Sequence, residues 1–140
     1  MKRLFESLIL LLALGGAAKA APVTVSNSWF RFLPAGLPAG GYFTARNSGS
    51  HDLAITGAQS PACGMLMLHQ SSDKGGMSGM DMVDKVALPA GGTATFGPGG
   101  FHLMCDQPKM NVGGTVLVTL QLSDGSSVKA SFAVRDARGK

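Results

Sequence analysis

Residues 115–134 read "TVLVTLQLSDGSSVKASFAV", and this stretch decides the fold class. Val116, Val118, Leu120 and Leu122 recur at every second position, with Thr115, Thr119 and Gln121 between them. A period of two marks a strand with one buried face, because successive side chains of an extended backbone point to opposite sides. Val128, Ala130, Phe132 and Val134 repeat the pattern against Ser127, Lys129 and Ser131. Between the two runs stands "SDGS", whose Asp124-Gly125 suits a tight turn that needs positive φ. The stretch predicts a β-hairpin.

Upstream, "VTVSNSWFRFL", "GGYFTARNSG" and "HDLAITGAQS" read as further short strands divided by Gly, Pro, Asn and Ser. "MDMVDKVALPAGGTATFGPGG" supplies two more, broken at residues 89–92 and 97–100. No apolar run of helical period extends beyond about two turns. Seven or eight short strands with such punctuation predict an all-β chain, a Greek-key β-sandwich or small barrel. "SSDKGGMSGM" (residues 71–80) is the one loose, glycine-rich stretch and is expected to form a surface loop.

The first twenty residues, "MKRLFESLILLLALGGAAKA", stand apart. Lys2 and Arg3 precede an apolar run from Leu8 to Leu14, and Ala18-Lys19-Ala20 resembles an A-x-A cleavage site. The run is too short to span a bilayer as a permanent helix. Residues 1–20 are therefore expected to be a cleaved signal peptide, and residues 21–140 a single exported domain in the periplasm. No cysteine stands directly after the expected cut, which argues against a lipid anchor. The remaining part carries nine basic and seven acidic residues, thinly spread. Nucleic-acid binding needs a concentrated basic footprint, which is missing. A basic amphipathic helix for a membrane surface is missing too.

The chemistry-bearing residues lie in two segments. In "CGMLMLHQ", Leu66 and Leu68 share one strand face and Met65, Met67 and His69 the other. In "GGFHLMCDQP", Phe101 and Leu103 share one face and His102 and Met104 the other. Each segment separates bulky apolar residues from an imidazole-and-thioether set. A lone histidine or methionine on a strand is ordinarily just packed, whereas two such strands could close on one ion. Thioether sulfur is soft and neutral and selects Cu(I) over Zn, Mg or Ca. The two cysteines, Cys63 and Cys105, read first as one disulfide in an oxidising compartment. Strand parity puts them on different faces, although Gly64 and the turn at Pro108 can reset it. A thiolate competing for the metal is the alternative.

Spacing adds a second argument. Ten residues separate His69 from Met80, twenty-one separate Met80 from His102, and one separates His102 from Met104. This His-x10-Met-x21-His-x-Met pattern resembles the signature of the periplasmic copper chaperones called PCu(A)C. "WFRF" followed by "GGYFTARNSG", then "LPAGGTATFGPGGFHLM", and the closing hairpin are similar to that family too, so that the resemblance covers nearly all of residues 23–135. It implies a cupredoxin-like β-sandwich holding one Cu(I) through His69, Met80, His102 and Met104. It also implies delivery to the CuA or CuB centres of terminal cytochrome oxidases, beside a Sco-like thioredoxin-fold partner. Met77 and Met82 flank Met80, and Met82 is the next candidate for its place. Many relatives carry a second Met after the first His, where this chain has Gln70. The chain closes on "RDARGK", without the His- and Met-rich tail that some members link to Cu(II). His51 has no visible metal partner and is expected at the surface.

A blue-copper electron carrier is the runner-up, since it would use a similar fold, but it needs His2Cys with a weak axial Met. Here Cys105 follows His102 instead of preceding it. A metal-free structural sandwich is the third class. An enzyme is not expected: there is no Ser-His-acid set in a supporting context, no phosphate-cradling loop and no paired carboxylates in a plausible site. Asp81 and Asp84 are expected to be solvated.

Overall fold

The computed structural model describes residues 22–74 and 77–140, with the side chains of residues 73–78 left undescribed. The expected signal peptide thus lies outside the described residues. Ten strands make up the fold: β1 (Val23–Arg31), β2 (Ala39–Asn47), β3 (Leu53–Gln59), β4 (Met65–Lys74), β5 (Met77–Met82), β6 (Val86–Leu88), β7 (Thr93–Phe96), β8 (Phe101–Asp106), β9 (Thr115–Leu122) and β10 (Ser127–Arg135). The chain is all-β, as the alternation predicts.

The hairpin of β9 and β10 pairs antiparallel from Ser127 opposite Gln121 to Ala133 opposite Thr115. Val118, Leu120, Leu122, Phe132 and Val134 are buried. In its turn the positive φ falls at Gly125 alone (+85°). The Asp124 carboxylate accepts hydrogen bonds from the Ser126 amide and hydroxyl, which fixes the turn by the side chain rather than by a second left-handed residue.

All the strands join one sheet in the order β5-β4-β8-β2-β1-β10-β9-β3-β6, with β7 also paired to β2. β7 takes β2 over Phe43–Arg46 and β8 takes it over Ala39–Gly41, so the two share one edge of the same strand. The sheet curls into an open half-barrel that brings β3 near β4 and β6 near β7. This is the cupredoxin-like arrangement expected. Inside the curl, Phe43 stacks on Phe96 at 4.2 Å between ring centroids, and Phe132 lies 5.2 Å from Phe30 and 5.7 Å from Phe43. Each fully buried side chain of this kind contributes about 1.5–3 kcal/mol by removal of apolar surface from water. Gly41 is needed where β2 crosses this core, since a Cβ there would come within 2.6 Å of the Phe30 ring and 3.0 Å of Leu103.

One polar side chain sits wholly inside. Asn47 donates to the carbonyls of Leu88 and His51 and accepts from the Gly49 amide, so its amide group is satisfied on both sides. It ties the end of β2 to β6.

The surface loop expected over residues 71–80 is corrected. β4 continues through Lys74 and β5 begins at Met77, paired from Lys74 opposite Met77 to His69 opposite Met82. Serine and glycine weaken intrinsic strand preference, but the ladder with β4 overrides it. Met80 therefore stands on an edge strand and not at the tip of a loop. The additional strand also brings the count above the seven or eight expected.

Candidate metal centre

The donors gather because β4 lies between β5 and β8. The β4–β8 ladder sets His69 opposite His102 and Met67 opposite Met104, while the β4–β5 ladder sets His69 opposite Met82 and Ser71 opposite Met80. Residues directly opposite in a ladder project to the same face. His69, Met80, His102 and Met104 consequently share one side of a three-stranded surface, together with Met67 and Met82. The other side of the same strands carries Leu66, Leu68, Leu103 and Cys105, all buried in the core.

Met82, rather than Met80, is the direct cross-strand neighbour of His69. Met80 is one pair further along, above Ser71, whose small side chain leaves space across β4. Met80, His102 and Met104 line a cleft of about 320 Å³ with Ser71, Gly40 and Arg31. Leu33, Leu37 and Pro38 close it on the far side. Met80 is 58% exposed and His102 5%, so a thioether stands at the rim of this cleft and an imidazole at its floor, while Met82, beside it on β5, is 71% exposed. His51 is exposed, and its ring nitrogen lies 3.3 Å from the Ser50 hydroxyl, away from this face. Asp81 and Asp84 are exposed. Of the flanking methionines, the Met77 side chain lies outside the described residues.

The two imidazoles face each other with ring centroids 5.7 Å apart and planes at 70°. His102 Nδ1 donates to the Gly100 carbonyl at 3.2 Å, since a carbonyl can only accept. That contact fixes the tautomer and leaves the lone pair on Nε2, the usual way in which a ligating histidine is oriented. His102 Nε2 is buried without a hydrogen-bond partner, as are both ring nitrogens of His69. A buried polar atom left unpaired costs about 1–3 kcal/mol, and three such nitrogens on two opposed rings need an explanation. A metal bond to each ring would account for two of them, Nε2 of His102 and one nitrogen of His69. Burial first, and the neighbouring His102 second, push the His69 pKa below its ordinary value, while Asp106 opposes them. His69 is thereby kept neutral, the form that ligates.

Among the described residues, no three His, Cys, Asp or Glu side chains come together. The donors beside the imidazoles are thioethers only. Cys63 and Cys105 form a disulfide, with Cα atoms 5.3 Å apart, and no cysteine is free. The parity objection fails for a local reason: Cys63 precedes β4 in a turn, where the amide of Cys63 bonds Ser60 and that of Gly64 bonds Asp106. Strand alternation does not govern it there. The bridge leaves no thiolate for the metal.

Sequence reasoning did not place Arg31, Tyr42 or Gly40 at this site. The Arg31 guanidinium lies 5.5 Å from the ring centroids of both Trp29 and Tyr42, and those rings are 4.9 Å apart. This cation–π stack holds a fixed positive charge at the cleft wall. Both strands are visible as "WFRF" and "GGYF", but nothing in one sequence says that the second pairs with β8 and carries the first beside it.

Comparison with known proteins gives the lineage. A family model described as "Putative lipoprotein LpqE-like" matches residues 23–134. The chain is 33% identical over 124 residues to "Putative lipoprotein Lxx21020" of Leifsonia xyli subsp. xyli (strain CTCB07), covering 86% of this chain and 74% of that one. The solution structure of CuI-DR1885 from Deinococcus radiodurans is 32% identical, with a TM-score of 0.66 over 88% of this chain and 85% of that one. The copper-bound PCuAC domain from PmoF2 superposes with a TM-score of 0.68 over 82% of this chain and 93% of that domain; at 23% identity it speaks for the fold alone. A match of the family model over most of its length means that the chain belongs to the LpqE-like family, on a fold it shares with PCuAC domains.

Proposed function

We propose that this protein is a copper carrier that holds one Cu(I) between His69 and His102, with Met80 and Met104 completing the site. The observation that supports this most is the pair of opposed imidazoles with three buried, unpartnered ring nitrogens beside thioethers and no carboxylate cluster. The donors are all neutral, so a bound Cu(I) would leave the site with a single positive charge. Soft sulfur donors favour the monovalent ion. The Arg31 guanidinium on the same cleft wall adds a penalty for the second charge of Cu(II). Similarity to CuI-DR1885, at 32% identity, supports the same ion.

The exposed rim suits transfer better than storage. Met80 can leave the ion and be replaced by a donor of an acceptor protein while the buried His102 still holds it. In this reading the protein has no catalytic turnover. It is exported by the leader read in residues 1–20, works in the periplasm, and supplies CuA or CuB centres of cytochrome oxidase alongside a Sco-like protein. A blue-copper carrier would need a cysteine thiolate, and both cysteines are in the disulfide.

The test is an anaerobic Cu(I) titration against a chromophoric chelator, comparing wild type with His69→Ala and His102→Ala. One tightly held equivalent is expected in wild type. Each variant should weaken it at least about tenfold, which corresponds to about 1.4 kcal/mol. Unchanged stoichiometry and affinity in both variants would overturn the assignment.

A further inference from the structure

The donor face does not stop at the four residues of the proposed site. Following β4 and β8 away from His69 and His102, the next pair is Met67 opposite Met104, and the next is Met65 opposite Asp106. All four point to the same side as the imidazoles, because each is two or four positions along its strand. Met104 therefore stands between two sets of donors, the imidazoles on one side along the face and Met67 with Met65 on the other. Directly opposed side chains have Cβ atoms about 4.5–5.5 Å apart, and successive positions on one face are about 6–7 Å apart. Flexible thioethers span such gaps.

Met65 is 58% exposed, so its thioether is open to an ion arriving from solvent. It lines a second cleft of about 360 Å³ with Asp106 and Gln107. Pro38 borders this cleft and also the one above His102, so the two adjoin. Along the β4–β8 ladder the Met67–Met104 pair stands between Met65, which lines the second cleft, and His102, which lines the first, and Met104 itself lines the first. Asp106 adds the only carboxylate on this part of the face, at the outer end, where an incoming cation would meet it first.

We infer that Met65 and Met67, with the Asp106 carboxylate, form a second and weaker site for a soft monovalent cation, Cu(I) in the cell, that shares Met104 with the first. This rests on the reading of the imidazole pair as the primary copper site. An ion taken up at Met65 passes to Met67, then to Met104, and then to His69 and His102. One thioether is exchanged at each step, so the ion is never without a sulfur ligand. The route is separate from the Met80 and Met82 rim on β5. Uptake and delivery can then use opposite ends of the face.

The experiment uses the whole exported domain labelled with 13C at the methionine methyl groups and titrated anaerobically with Cu(I). Up to one equivalent, the Met80 and Met104 methyl signals should move. Between one and two equivalents, those of Met65 and Met67 should follow. The double variant Met65→Leu/Met67→Leu should keep the first equivalent and lose the second. His102→Ala reports on the primary site alone and separates the two readings. Wild type whose Met65 and Met67 signals stay still through two equivalents, or a double variant that retains the second equivalent, would overturn the inference.

Discussion

At the residue scale, the histidine pair shows how burial keeps an imidazole neutral. His102 is held by one hydrogen bond to a backbone carbonyl, and His69 has none at all. Burial acts most strongly on His69, the neighbouring His102 acts next, and both lower its pKa, with Asp106 opposing. The folded chain therefore binds this proton less readily than the unfolded chain, whose histidine titrates near 6.5. As pH falls through that value, the unfolded state takes up the proton first, and stability declines. The decline levels off once pH is below the folded value, where both states are protonated. The metal-free protein should thus show a lower urea midpoint at about pH 5 than at about pH 7.5, and His69→Ala should narrow the difference. An equal difference in wild type and variant would contradict this account of the site.

At the scale of elements, the histidine-bearing pair β4–β8 is fastened twice. Its ladder runs over six residues on each strand, from Met65 opposite Asp106 to Gln70 opposite Phe101. At one end, the disulfide from Cys63, just before β4, to Cys105, within β8, closes a sequence separation of 42 residues. A loop of that size is worth about 4 kcal/mol in chain entropy, and measured values for native bridges range over about 2–5 kcal/mol. Cys105 is fully buried on the core side, opposite to the face with His102 and Met104. The bridge therefore stabilises the strand pair without touching the donors. Replacing both cysteines by serine should lower the unfolding free energy in urea by about 2–4 kcal/mol while the folded variant still binds Cu(I). No loss of stability would show that the bridge does not secure these strands. The outermost element, β5, carries the exposed Met80 and Met82 on an open sheet edge. Exposed Asp81, and Asp84 just beyond the strand, discourage that edge from pairing with another chain.

At the scale of the whole molecule, the sheet order creates the site. The alternation in residues 115–134 made the hairpin legible, because a period of two and a turn glycine are local signals. The face assignments within β4 and β8 were legible for the same reason. β5 was not, since Ser78 and Gly79 have weak strand preference, and only pairing with β4 makes them a strand. Sequence spacing singled out Met80, yet Met82 is the direct ladder partner of His69, because cross-strand position depends on the register of β5 against β4. Arg31 and Gly40 became part of the cleft only through the long-range pairing of β2 with β8. Such pairings are set by the burial of Phe30, Phe43, Leu103 and Phe132 in one core, and no short window of sequence reports them. The central claim is that this curled sheet presents two imidazoles and two thioethers to one Cu(I). X-ray absorption at the copper K-edge of protein loaded anaerobically with one equivalent measures that coordination directly. Nitrogen and sulfur scatterers should both occupy the first shell, and the sulfur contribution should fall in Met80→Leu and in Met104→Leu. A first shell without sulfur, or a sulfur signal unchanged in both variants, would contradict the account.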